Sequence, residues 1–362
     1  MFGGKDRPGL GEERKPAGED EAVARIVEAE RKILQHRVDV EKLPNASQPV
    51  PRGQHPKHHG CVRADFVVEA DVPARLRFGV FQEPGRRFPA WVRFSNARVK
   101  DDREAGGHGM SIKLMDVAGL GPRLGGDSRS TQDFLLLDSP VFFIKDALEY
   151  ASFEEALEKA EVGGSWFSKL SVLGYFLTHP FELAILKKIQ STLPVDPLAE
   201  TYWSATPYRL GPEPGGLAVK YKATPARGHT TPVPPPEAGV DQLRHAMAAH
   251  LKTLDAAFDF YVQPQEDATE QPVEDPTVLW DEESAPCIKV ATIRIAAGQP
   301  FEKWMNFCEN LSFTPWRGLA DHRPLGGINR ARAKVYEELS AMRHRLNGAP
   351  QEEPTPGTDP EE

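Results

Sequence analysis

Near the end of the 362-residue chain, Arg332 and Tyr336 stand four residues apart. Residues at that spacing share one face of a helix. A guanidinium beside a phenol favours the phenolate, since a free phenol titrates only near pH ~10. A phenolate is a hard anionic ligand suited to ferric iron. Taken alone, such a pair is most often a surface cation–π contact. A second cluster lies far upstream, at His55-Pro-Lys-His58-His59-Gly. Histidines this close raise a metal-ligand reading. Against it, no Cys or acidic cluster follows at ligand spacing, and neighbours in a strand face opposite ways. One of His58 and His59 is therefore expected to face a pocket alone.

The residues that must position these groups run from Phe88 to Asp146. Ala90–Ser95, Met110–Met115 and Asp133–Leu137 mix apolar and polar residues at a period near two, as half-buried strands do. Gly106, Gly107 and Gly109 allow tight turns or close approach between them. Ser139-Pro140 then breaks the chain ahead of Val141-Phe142-Phe143-Ile144, which reads as the wall of an apolar pocket.

Elsewhere, residues 1–20 are charged and rich in Gly and Pro, and read as disordered. Glu21–His36 reads as an amphipathic helix, and Leu43–Lys57 as an extended arm over this subunit or a neighbour. Further strands are expected at Cys61–Val72, Leu217–Ala223, Ala257–Gln263 and Ile288–Ile295. Helices are expected at Ala147–Glu161, at Val240–Leu254 and from near Asn329. Ala118–Ser130, the Pro-rich Pro225–Pro236 and the acidic Glu266–Asp281 read as loops. Residues 347–362 carry five acids and no base and read as a solvated tail, leaving 21–346 as the folded unit.

A net charge of −9 argues against a broad nucleic-acid surface. Cys61, Cys287 and Cys308 are odd in number and far apart, which supports neither a disulfide framework nor a zinc ribbon. The N-terminal text has no apolar core of a secretory signal, so a reducing, cytoplasmic setting is expected. The most apolar region, Trp166–Ile189, is interrupted by Lys169, His179, Pro180 and Glu182, and is too short to span a bilayer. It reads as two helices broken at Pro180, or as an interfacial patch that admits lipid-like substrates.

The order RFS…GHGMSIK…QDF…SPVFFIKD, closed by TPW…HRPLGGINRARAKVY, resembles the catalase superfamily, and most of all its short catalase-related haem proteins. The resemblance runs from about residue 50 to 345. It implies an α+β fold: an antiparallel β-barrel with flanking helices, and haem b between the barrel and the last helix. It implies that Tyr336 ligates the iron with Arg332 as its partner, and that Arg93 contacts a haem propionate. By its spacing to Phe66, His59 matches the distal acid–base histidine, with Ser95 supporting it. Phe142 and Phe143 match pocket aromatics, and Tyr150 an aromatic that stacks on haem.

The chain departs from the family at a distal Asn, where Leu137 or Asp138 stands depending on register, and at Thr314, where the family often has Asn. The implied function is haem-dependent cleavage of a peroxide O–O bond under oxidative stress. With the Asn amide lost, peroxidase or organic and lipid hydroperoxide chemistry is expected over catalase activity. Other readings are a haem carrier or sensor on the same scaffold, and a non-haem metal protein using His55, His58 and His59. A homo-oligomer is compatible with the N-terminal arm.

Overall fold

The computed structural model describes residues 8–45, 48–126, 129–165, 168–233 and 239–360. Expectations placed on residues 1–7, on Trp166 and on residues 234–236 lie outside them. In chain order the helices and strands are α1 (Glu19–Glu41), β1 (Lys57–Val68), β2 (Arg87–Asn96), β3 (His108–Leu114), β4 (Gln132–Leu137), α2 (Ala147–Val162), α3 (Ser171–Thr178), α4 (Pro180–Ile189), β5 (Tyr202–Trp203), β6 (Tyr208–Leu210), β7 (Leu217–Pro225), α5 (Gln242–Leu251), β8 (Ala256–Pro264), β9 (Ile288–Ile295), α6 (Met305–Asn310) and α7 (Gly327–Asn347).

Eight strands close into an antiparallel barrel in the order β1-β2-β3-β4-β5-β7-β8-β9, with β9 returning to β1 and β6 added along β7. The alternation read in the sequence is what fills it. On β8, Phe258, Phe260 and Val262 are fully buried while Asp259 and Tyr261 between them are not. Phe66, Phe134 and Phe260 meet at centroid separations of 5.2–6.3 Å, and His322 closes on Phe134 at 5.5 Å. An eight-stranded barrel is just wide enough for side chains to fill. This one is full, so a site for a large group must lie outside its wall.

Three helices pack on one another beside the barrel, while α5 and α6 pack on β1. Ala22, Ile26, Ala147, Ala151 and Ala331 form one buried seam of mostly small residues, which brings α1, α2 and α7 close together. Asp146 caps α2 by accepting from the backbone N–H of Leu148 at 2.9 Å and of Glu149 at 3.0 Å, a contribution of about 1 kcal/mol. That cap fixes the start of the helix that carries Tyr150. Asn329 locks the start of α7: it donates to the carbonyls of Pro207 at 2.8 Å and Leu325 at 3.0 Å.

Both ends of the chain differ from expectation. Residues 8–20 are tied down: Glu13 pairs with Arg330 at 2.7 Å and with Arg323 at 2.5 Å, and the buried Glu19 pairs with Arg330 at 2.6 Å. Charged, Gly- and Pro-rich composition read as disorder; the fold supplies basic partners from α7 and from the segment just before it instead. Near the other end, Glu353 reaches the buried Lys113 at 2.8 Å and Arg317 at 3.0 Å, where Asp133 also pairs with both cations. The thiols are corrected too. Cys61 on β1 and Cys308 on α6 form a disulfide across 247 residues, and only Cys287 is free among the described residues. The reducing, cytoplasmic expectation loses that support. No described helix is long and apolar enough to cross a membrane.

Candidate functional site

Arg332 and Tyr336 lie on the face of α7 turned to α2 and the barrel. Arg332 Nη2 is 3.4 Å from the Tyr336 hydroxyl, and its guanidinium sits 5.4 Å from the ring centre. Its other nitrogen donates to Asn329 Oδ1 at 3.0 Å. Burial works against the charge of Arg332, yet Tyr336 and Tyr208 beside it raise its pKa above the ordinary guanidinium value.

The three histidines diverge. His55 Nδ1 meets Ser95 Oγ at 3.0 Å; His58 Nε2 meets Glu309 at 3.0 Å; His59 Nε2 meets Asn96 Oδ1 at 2.8 Å. Ser95 therefore supports His55, and the expectation that it supports His59 is corrected. The cause is local. β1 begins only at Lys57 and bulges between His58 and Gly60, so strict alternation does not apply here. His55 precedes the strand with φ of 55°, a left-handed backbone that a residue before proline rarely adopts. Strain of this kind concentrates at functional sites. Gly109 on β3 makes room for the ring: a Cβ there would lie 2.5 Å from His55 Cε1. The divergence also leaves the three histidines without a common centre, and no group of three or more His, Cys, Asp or Glu is poised for a metal among the described residues.

His55 has its pKa pushed down to about 3 by burial, then by Arg93, Arg52 and Arg332. Its imidazole is neutral at working pH. Burial likewise takes His58 down to about 4, with Glu309 opposing, and takes His59 well below the usual range. The pull of Arg332 on His55 places that guanidinium within electrostatic reach of the histidine. His55, Tyr150 and Arg332 are deeply enclosed by protein, yet each keeps accessible surface. They come from the arm before β1, from α2 and from α7. Phe142 and Phe143 pack against the same cluster as Tyr150, with Phe142 5.9 Å from Tyr150.

Sequence reading named Arg93 but missed the arginines grouped with it. Arg52 and Arg343 hold Glu309 at 3.1 and 2.5 Å, and their charges reach Arg93. Arg93 donates to the Leu311 carbonyl at 2.8 Å, but its buried Nε has no partner. Three guanidinium groups against one carboxylate leave an excess of positive charge. The available signals were Arg52 three residues before His55, and Arg343 two helical turns after Tyr336.

His108, also missed, explains Asp138. The carboxylate takes the His108 ring at 2.8 Å and its backbone N–H at 2.8 Å. Leu137 stays in the ladder of β4, opposite Gly109 and Trp203.

With this geometry, comparison with solved structures is decisive for the fold. A fungal catalase superposes with TM-score 0.64 at 18% identity, covering 86% of this chain and 62% of that one. Catalase A from Saccharomyces cerevisiae gives 0.62 at 17%, covering 85% and 65%. A bacterial catalase gives 0.60 at 15%, covering 87% and 61%. The fold is catalase-like. The chain spans less than two thirds of the length of these catalases. No protein-family model and no curated protein sequence matches it.

Proposed function

We propose that this protein is a haem-dependent enzyme that cleaves the O–O bond of a hydroperoxide, with His55 as its acid–base residue. The observation that carries the reading is the His55–Ser95 pair at 3.0 Å, its imidazole held neutral within electrostatic reach of Arg332.

The residues present fit haem b. Tyr336 would provide the phenolic ligand with Arg332 beside it, and Phe142, Phe143 and Tyr150 would pack on the ring. Arg93, Arg52 and Arg343 would take the porphyrin carboxylates, and Arg93 Nε is a buried donor still in need of an acceptor. Bound haem would supply an iron centre able to exchange two electrons with the peroxide.

His55 handles the protons. With Nδ1 donating to Ser95, Nε2 carries the lone pair. It takes the hydroperoxide proton from one oxygen and returns it to the other, which leaves as alcohol or water. A neutral imidazole suits the first half of that exchange. Water-poor surroundings and three nearby guanidiniums keep the protonated state short-lived, which suits the second.

Substrate preference follows from Asp138. An ionised carboxylate only accepts hydrogen bonds, and this one is committed to His108. Leu137 adds no donor. No amide donor stands at either position to orient a second hydrogen peroxide, so alkyl or fatty-acid hydroperoxides are the favoured substrates over disproportionation. The test compares oxygen release from hydrogen peroxide with consumption of a fatty-acid hydroperoxide. Fast hydroperoxide loss with slow oxygen release is expected. Vigorous oxygen release would refute the preference, and a haem-loaded protein inert to both would refute the enzyme reading.

A further inference from the structure

The α3–α4 hairpin is anchored by the buried Tyr175 and Phe176, with Val172, Leu183 and Leu186 half-buried beside them, and turns several apolar side chains to solvent. Tyr175 and Phe176 insert beside Phe153, at centroid separations of 5.5 and 5.9 Å. Leu173 and Leu177 share a face of α3, and Phe181 opens α4 beyond the break at His179; they are 56%, 77% and 60% exposed. No residue of α4 is buried, although its sequence is PFELAILKKI. Soluble surfaces rarely keep such an apolar stripe without a partner.

Charge identifies the partner. Lys187 and Lys188, both exposed, close α4, and the single acid of the two helices, Glu182, is half-buried. The hairpin is thus cationic and apolar on a chain of net charge −9. A second copy is disfavoured, because the lysines would face each other. Short amphipathic helices with lysines beside an apolar stripe instead suit an anionic lipid surface.

We propose that the α3–α4 hairpin docks on anionic phospholipid membranes, with Leu173, Leu177 and Phe181 entering the interface and Lys187 and Lys188 on the headgroups. The hairpin is fastened beside the candidate site. Gly106 N–H donates to the Thr192 carbonyl at 2.9 Å, and a Cβ on Gly107 would lie 2.9 Å from Ile189 Cγ2 and 3.6 Å from Asp138 Oδ1. Docking here would bring membrane-borne hydroperoxides next to Asp138 and His108. That consequence rests on the reading above; the docking itself does not.

The experiment is flotation of the full chain with vesicles of phosphatidylcholine alone or mixed with phosphatidylglycerol, without any activity readout. The wild-type chain is expected to float with the mixed vesicles. Leu177→Asp with Phe181→Asp should lower that partition about tenfold or more, and Lys187→Glu with Lys188→Glu should reduce it to the level of neutral vesicles. All four side chains are exposed, so the melting temperature should hold in both variants. Failure to float with mixed vesicles, or equal flotation of the variants, would overturn the proposal. Self-association abolished by Leu177→Asp in a chain that binds no vesicle would assign the hairpin to a second copy.

Discussion

Ser95 Oγ stands 3.0 Å from Nδ1 of His55, while the more deeply buried His59 is spent on Asn96. The two histidines should therefore fail differently. His55→Ala is expected to retain haem and lose about 10²–10⁴-fold in hydroperoxide cleavage. His59→Ala should act on stability, by about 1–3 kcal/mol for the Asn96 partner left unpaired, with turnover per folded molecule nearly unchanged. Initial rates and denaturant midpoints on both variants decide the matter; a greater rate loss for His59→Ala would return the acid–base role to it.

Tyr336→Phe removes the phenolic oxygen and keeps the ring that Arg332 covers. The variant is expected to lose haem, or to bind it with a visibly altered charge-transfer absorption. Arg332→Leu should weaken haem retention less, because the phenol remains. An unchanged spectrum in Tyr336→Phe would remove that residue from the site.

Stability should fall with acid. His322 is fully buried, with its ring bonded to the Tyr221 hydroxyl at 2.8 Å and the Val80 N–H at 3.0 Å, and burial lowers its pKa to about 3. A histidine depressed on folding binds fewer protons when native. Its contribution is complete above the unfolded pKa of about 6.5 and is lost as pH falls towards the folded value. The window is thus from about 6.5 to about 3 for His322, and from about 6.5 to about 4 for His58. Each group adds a slope of about 1.4 kcal/mol per pH unit within its window. Denaturant midpoints between pH 7 and 4 should show this decline, and His322→Asn should remove about one proton from the slope.

The disulfide joins the barrel wall to the helix that carries Glu309. Reduction, or Cys61→Ser with Cys308→Ser, is expected to cost about 2–5 kcal/mol of stability, as removal of a bridge closing a long loop does. Thermal melts with and without dithiothreitol check this. An identical melt would mean that the two sulfurs carry no constraint.

How much of this was legible depended on the range of the physics involved. β9 was read at its exact ends, because Ile288–Ile295 is a short run rich in β-branched residues, which is a local signal. The break between α3 and α4 was legible at Pro180, which opens the second helix. His55 was read only as one of the clustered histidines, not as the partner of Ser95, because a left-handed residue and a bulge interrupt the regular alternation assumed for the cluster. The arginines around Glu309 come from β2, α7 and the arm before β1, and nothing within any one segment announces their meeting. The same holds for Cys61 and Cys308. Acidic ends were mistaken for solvated ones since composition states charge but not where the counter-charge will be.

Glu353 illustrates that last point, and it also sets an order of events. Lys113 and Arg317 are balanced inside the structure by Asp133 and Glu353, two charges against two. On the ribosome the lysine is made 240 residues before Glu353. Asp133 can balance Lys113 early, but once Arg317 is made, and until Glu353 follows, the nascent wall holds one cation too many for a dry interior. Completion of the barrel therefore waits for Glu353. A shortened version, trimmed because residues 347–362 look dispensable, would be a protein permanently paused at that stage.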